Sequence, residues 1–116
     1  MTVITIYHNP NCSKSRETLN LVRALGIEPE IIEYLVNPPS FESLKELIKK
    51  LGLATREVLR KKEDPYQQNN LDDPALTDDE LLKIMTKHPI LIERPIVVRG
   101  EKAIIGRPPK KVMELL

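Results

Sequence analysis

The alternation strand, helix, strand over residues 2–35 constrains the fold more than any other feature. Val3-Ile4-Thr5-Ile6-Tyr7 is a β-branched apolar run, Arg16 to Leu25 has helical spacing, and Glu30-Ile31-Ile32-Glu33-Tyr34-Leu35 returns to a strand pattern. The assignment is strand 2–7, helix 13–25 and strand 30–35. Leu19, Val22 and Leu25 share one helical face. Gly26 stops that helix and Pro29 keeps it from resuming. Two strands joined through a helix pair in parallel, with a right-handed crossover.

The middle of the chain is helical and the end returns to sheet. Asn37-Pro38-Pro39 is a turn and Ser40 an N-cap. Leu44, Leu47, Ile48 and Leu51 recur at i, i+3, i+4 and i+7, which predicts an amphipathic helix over 41–51, closed by Gly52. Thr55 to Leu59 suits one further turn. Thr77-Asp78-Asp79-Glu80 is a capping box that opens a helix through Met85, with Pro89 marking its end. Pro95-Ile96-Val97-Val98 and Lys102-Ala103-Ile104-Ile105 flank the loop Arg99-Gly100-Glu101 as a hairpin, and Pro108 suits the start of a closing helix over 109–115. The order βαβ, helical insertion, ββα predicts an α/β chain. Its centre is a four-stranded mixed sheet, with a helical lobe over about 40–88, a thioredoxin-like plan with an enlarged middle. At 116 residues the length suits one domain, 1–116.

Cys12 is the one cysteine, and it falls in the loop between the first strand and the first helix. A thiol there faces unpaired backbone N–H groups and the positive end of the helix dipole, which favour thiolate, the reactive form. The same N–H groups make an anion site. By default a lone cysteine is a small buried apolar residue. This one follows Pro10 and Asn11 and precedes Ser13, Lys14 and Ser15, with His8 and Arg16 nearby, whereas a core cysteine sits in an apolar run.

Composition excludes several function classes. A net charge of +1 supplies no field for nucleic acid, and Tyr7, Tyr34, Phe41 and Tyr66 are too scattered to form a base-stacking platform. One cysteine rules out an internal disulfide and a cysteine-rich zinc site, and His8 and His88 alone do not suggest a metal cluster. The chain has neither a signal-peptide pattern nor an apolar run of membrane-spanning length. These features predict a soluble protein of the reducing cytosol.

Two Arg-Pro pairs, Arg94-Pro95 and Arg107-Pro108, bracket the final hairpin, and Arg60 opens Arg60-Lys61-Lys62. Taken singly, each arginine is ordinary solvated surface. Loops at one rim of a sheet converge, however, and arginine forks match tetrahedral oxyanions in geometry and charge. His8-Asn9-Pro10-Asn11-Cys12-Ser13-Lys14-Ser15-Arg16, Arg60, Arg94-Pro95-Ile96-Val97-Val98 and Gly106-Arg107-Pro108 together resemble the glutaredoxin-coupled arsenate reductases, and a short arsenate-reductase-related branch of them. The resemblance extends to Glu63-Asp64-Pro65-Tyr66 and His88-Pro89-Ile90-Leu91. It implies that Cys12 is the nucleophile and that His8 lies near the thiolate and lowers its pKa, with Ser15 supporting the loop. It further implies that Arg60, Arg94 and Arg107 hold arsenate and its arsenite adduct and that Pro95 is a cis-proline; no bound cofactor or metal is expected. Residue by residue, His8 alone could equally bond a backbone carbonyl, and His88 reads as a helix-end group.

Reduction of arsenate to arsenite takes two electrons, and one cysteine supplies one sulfur. A second thiol must come from outside the chain. The expected sequence is attack of Cys12 on arsenic, attack of glutathione on the adduct, and resolution by glutaredoxin with release of arsenite; the last two partners are implied by the resemblance. A rival class is the thioredoxin-like regulators that bind RNA polymerase. These commonly carry a Cys-x-x-Cys switch and lack an arginine equivalent to Arg107, whereas Ser15 occupies the second switch position here. A phosphatase-like enzyme is disfavoured, because Arg16 lies four residues after Cys12 and the usual Cys-x5-Arg loop is missing.

Overall fold

The computed structural model describes residues 3–116, so Thr2, where the first predicted strand begins, lies outside the described residues. The chain divides into two compact units. One takes the residues up to Asn37 together with Arg94–Leu116, and the other takes Pro38–Glu93. The helical lobe expected over 40–88 falls within the second.

The first unit contains β1 (Ile4–His8), α1 (Ser13–Ala24), β2 (Glu30–Glu33), β3 (Ile96–Arg99) and β4 (Lys102–Ile105). The expected α/β class and four-stranded mixed sheet are both present. The strand order is β2-β1-β3-β4, with β1 parallel to β2 and antiparallel to β3, and β3 antiparallel to β4. Ile6 sits opposite Ile31 on one side and Val97 on the other, and Val97 sits opposite Ile104. Ile4, Ile6 and Val97 of the sheet, Leu19 and Val22 of α1, and Val112 form a buried cluster. Each such side chain contributes roughly 1.5–3 kcal/mol on leaving water. This cluster holds α1 on the sheet and sets where the β1–α1 loop ends.

Three expectations for this unit need correction. Leu25 is not on the buried face of α1. It follows the last helical residue and is 49% exposed, because the chain turns at Gly26, whose φ of +80° suits glycine. The strand expected over 30–35 stops at Glu33, where the N–H groups of Val36 and Asn37 both turn back to the Glu33 carbonyl. The closing helix is a 3₁₀ helix, Pro109–Glu114, rather than an α-helix. Its buried residues Pro109 and Val112 lie three apart, which matches three residues per turn.

The second unit contains α2 (Phe41–Leu51), α3 (Asp64–Gln68) and α4 (Asp78–Lys87), with 3₁₀ turns at Thr55–Val58 and Pro89–Leu91. Ser40 caps α2 by accepting from the Ser43 N–H at 3.2 Å, and Gly52 ends it at φ +67°. Thr77 and Glu80 form the capping box of α4. α2 and α4 pack together, burying Leu44, Leu47 and Ile48 from one and Leu81, Leu82 and Met85 from the other. α4 runs two residues beyond Met85. α3 carries no buried residue, so the apolar period that marks a helix in sequence is missing there. No helix among the described residues is long and apolar enough to cross a membrane.

Candidate active site

Cys12 is the N-cap residue of α1. Its backbone is extended, at φ −104° and ψ 123°, and its carbonyl accepts the Arg16 N–H at 3.0 Å. Its own N–H donates to the Asn9 carbonyl at 3.0 Å, which closes the loop. Asn9 Oδ1 accepts the Asn11 N–H at 3.0 Å, a side-chain turn typical of Asn before Pro. Arg16 reaches back to the Pro10 carbonyl at 2.9 Å. The loop is therefore held at both ends by its own polar groups, and Cys12 is only 9% exposed.

Beneath the loop lies a buried polar brace. Ser15 Oγ is 2.7 Å from His8 Nδ1 and accepts the Asn9 N–H at 3.1 Å. The Ser15 hydroxyl has one proton and two lone pairs, so it meets His8 Nδ1 as donor or as acceptor according to the imidazole tautomer, while it holds the Asn9 N–H. Burial pushes the His8 pKa down, against the pull of Glu33, its partner in the β1–β2 register; Arg23 and Arg16 push it down further. The neutral imidazole fits this arrangement. His8 meets the loop through Ser15.

Several groups act on the Cys12 thiol. Burial works against the thiolate. The Ser15 N–H, the Arg94 guanidinium through its hydrogen bond and charge, and the Lys14 N–H outweigh it, so the Cys12 pKa falls below the usual thiol value. Arg107 reaches the same sulfur, with Nη2 3.6 Å from Sγ, while its Nε donates to the Arg94 carbonyl at 2.7 Å. Arg94 and Arg107 thus meet at Cys12 from the two ends of the β3–β4 hairpin. The Arg94–Pro95 and Arg107–Pro108 peptide bonds are both cis.

Gly106 makes this approach possible, and sequence reasoning assigned it no role. A Cβ there would stand 2.7 Å from Thr18 Oγ1 and 3.0 Å from Pro95 Cγ. Thr18 cannot easily yield, because its hydroxyl donates to the Lys14 carbonyl at 2.9 Å. The hairpin end therefore lies against α1 with no room for a side chain, and Arg107 follows directly. The sequence signal was a glycine immediately before an Arg-Pro pair.

The first unit brings together Cys12, His8, Ser15, Arg94 and Arg107. Arg60 belongs to the second unit. There its N–H groups meet Glu93 at 2.7 Å and Glu63 at 3.6 Å, and its backbone N–H donates to Leu91 at 2.8 Å. Its carboxylate partners lie 33 and 3 positions away; the nearer was legible as an i, i+3 pair.

In chemical terms, the first unit offers a buried thiol of lowered pKa at a helix N-terminus, with two guanidinium groups around it. That set can attack an electrophilic centre carried by an oxyanion and neutralise the oxyanion's charge. Comparisons with known proteins place the chain in a family. The model of the ArsC family matches residues 7–115. An arsenate reductase of Haemophilus influenzae is 50% identical over 117 aligned positions, covering 100% of each chain. An Escherichia coli K12 protein described only as uncharacterized protein YfgD is 50% identical, covering 97% of this chain and 96% of that one. Among solved structures, an arsenate reductase from Vibrio cholerae superposes with a TM-score of 0.97 at 52% identity, covering 99% of this chain and 98% of that one.

Proposed function

The chain belongs to the ArsC family, and from that premise we propose that it reduces arsenate to arsenite through a covalent adduct on Cys12, with glutathione and glutaredoxin as external thiols. The observation that carries this reading is the meeting of Arg107 Nη2 and Cys12 Sγ at 3.6 Å, at a helix N-terminus where Arg94 also favours the thiolate.

The Cys12 thiolate attacks arsenic; an S–As bond forms, one As–O bond breaks, and the oxygen leaves as water after protonation. The guanidinium groups of Arg94 and Arg107 offset the repulsion between thiolate and oxyanion and take up charge that builds on the remaining oxygens. A glutathione thiolate then attacks Cys12 Sγ. An S–S bond forms, the S–As bond breaks, and its electron pair stays on arsenic, which leaves as arsenite. The two sulfurs have lost two electrons and arsenic has gained them. Glutaredoxin takes the glutathionyl group by thiol–disulfide exchange and frees Cys12. Because Cys12 is the only cysteine, no step can be completed by a second thiol of the same chain.

His8 and Ser15 hold the loop in the shape that presents Cys12. The resemblance also gives Arg60 a role in holding arsenate, which Arg60→Ala tests through the KM for arsenate. A reducing cytosol supplies the thiols that this cycle consumes. The experiment is arsenate reduction with glutathione plus glutaredoxin, set beside the same assay with thioredoxin and its reductase. Turnover in the first only is expected. Reduction with no added thiol, or no reduction in either while Cys12 stays reactive, would overturn the proposal.

A further inference from the structure

A groove of about 640 Å³ runs along α1 beside the closing 3₁₀ turn, with Lys14, Glu17, Leu21, Ala24, Pro108 and Lys110 in its walls. The four α1 residues are spaced by three, four and three positions and so share one helical face. Two of its wall residues, Lys14 and Pro108, adjoin the groups around the reactive sulfur. Lys14 supplies one of the N–H groups that favour the Cys12 thiolate, and Pro108 directly follows Arg107, whose Nη2 reaches Sγ. Leu21, Ala24 and Pro108 give it an apolar floor, and the side chains of Lys14, Glu17 and Lys110 are exposed.

We infer that this groove seats glutathione while its thiol reaches Cys12. The inference rests on the thiol-dependent cycle proposed above and names where the second thiol is held. Cys12 is 9% exposed, so a thiol that meets Sγ arrives by a narrow approach, and its carrier must rest on the adjoining surface. Glutathione carries two carboxylates and one ammonium around a central sulfur. Lys14 and Lys110 complement the carboxylates and Glu17 complements the ammonium. An uncharged thiol gains nothing from these three groups.

Thiol–disulfide exchange tests this without arsenate. The Cys12 thiolate attacks glutathione disulfide, one S–S bond forms, the old one breaks and glutathione thiolate leaves. Mass spectrometry follows the rate, with hydroxyethyl disulfide as the uncharged control at low ionic strength. Lys110→Glu should slow exchange with glutathione disulfide by roughly threefold to tenfold, as expected for reversing one exposed charge contact. It should leave the control reaction unchanged. Lys110→Arg should behave as the wild type, and salt should shrink the difference. Equal slowing with both disulfides, or no slowing with either, would overturn the assignment. Since exchange needs only the thiolate, failure of this inference is separate from failure of arsenate reduction itself.

Discussion

Arg107 touches Cys12 across 95 positions of sequence: its Nη2 lies 3.6 Å from Sγ while its Nε is committed to the Arg94 carbonyl at 2.7 Å. One side chain spans backbone and sulfur, and a lysine with its single nitrogen cannot. Arg107→Lys should therefore leave Cys12 open to alkylation but weaken the protection that arsenate or sulfate gives against it, by about tenfold or more. Undiminished protection in the variant would mean that Arg107 does not hold the anion.

The lowered pKa of Cys12 has a kinetic and a thermodynamic reading. The alkylation rate against pH should show a midpoint below the ordinary thiol value, and Arg94→Ala should raise it, since Arg94 favours the thiolate by both hydrogen bond and charge. The folded state holds the thiolate more readily than the unfolded state does. The associated stability is thus fully present above the unfolded pKa and is lost as pH falls through the folded value. Urea unfolding of wild type and Cys12→Ser across that window should diverge at high pH and converge at low pH.

Ser15 joins His8 Nδ1 and the Asn9 N–H in a buried brace. Ser15→Ala strips a partner from both, and a buried unsatisfied polar group costs ~1–3 kcal/mol. Chemical unfolding should register that loss. Cys12 should also become less reactive, because the loop that presents it is no longer held.

Gly106 and Thr18 offer a paired test. Gly106→Ala places a methyl 2.7 Å from Thr18 Oγ1, an overpacking that costs roughly 1–3 kcal/mol. Thr18→Ala removes that oxygen and its neighbouring methyl, so the double variant should be more stable than the sum of the single effects allows. Simple additivity would show that the clash is relieved elsewhere.

Much of the fold is legible in the sequence. β1, α1 and β2 follow from β-branched runs on either side of a helical stripe, and α2 and α4 from apolar spacing with Ser40 and Thr77 as caps. Cys12 at the loop-to-helix junction was equally plain. What escaped was set by tertiary contact or lacked a period. α3 buries nothing, the closing turn obeys a period of three, and Leu25 left the core because the chain bends at Gly26. The hold of Glu93 on Arg60 joins groups 33 positions apart, and the squeeze of Gly106 between Thr18 and Pro95 joins separate elements. The first leaves no local trace in sequence, and the second leaves only a glycine before an Arg-Pro pair.

The most direct measurement is mass spectrometry of the protein incubated with reduced glutathione, with and without arsenate, alongside arsenite quantification. Reduced glutathione cannot form a disulfide with a reduced thiol unless something accepts two electrons, and arsenate is the acceptor proposed. The account predicts glutathione on Cys12 only when arsenate is present, one arsenite per adduct, and neither product from Cys12→Ser. If Cys12 remains alkylatable but neither adduct nor arsenite forms with arsenate, the thiolate between Arg94 and Arg107 does not reduce it.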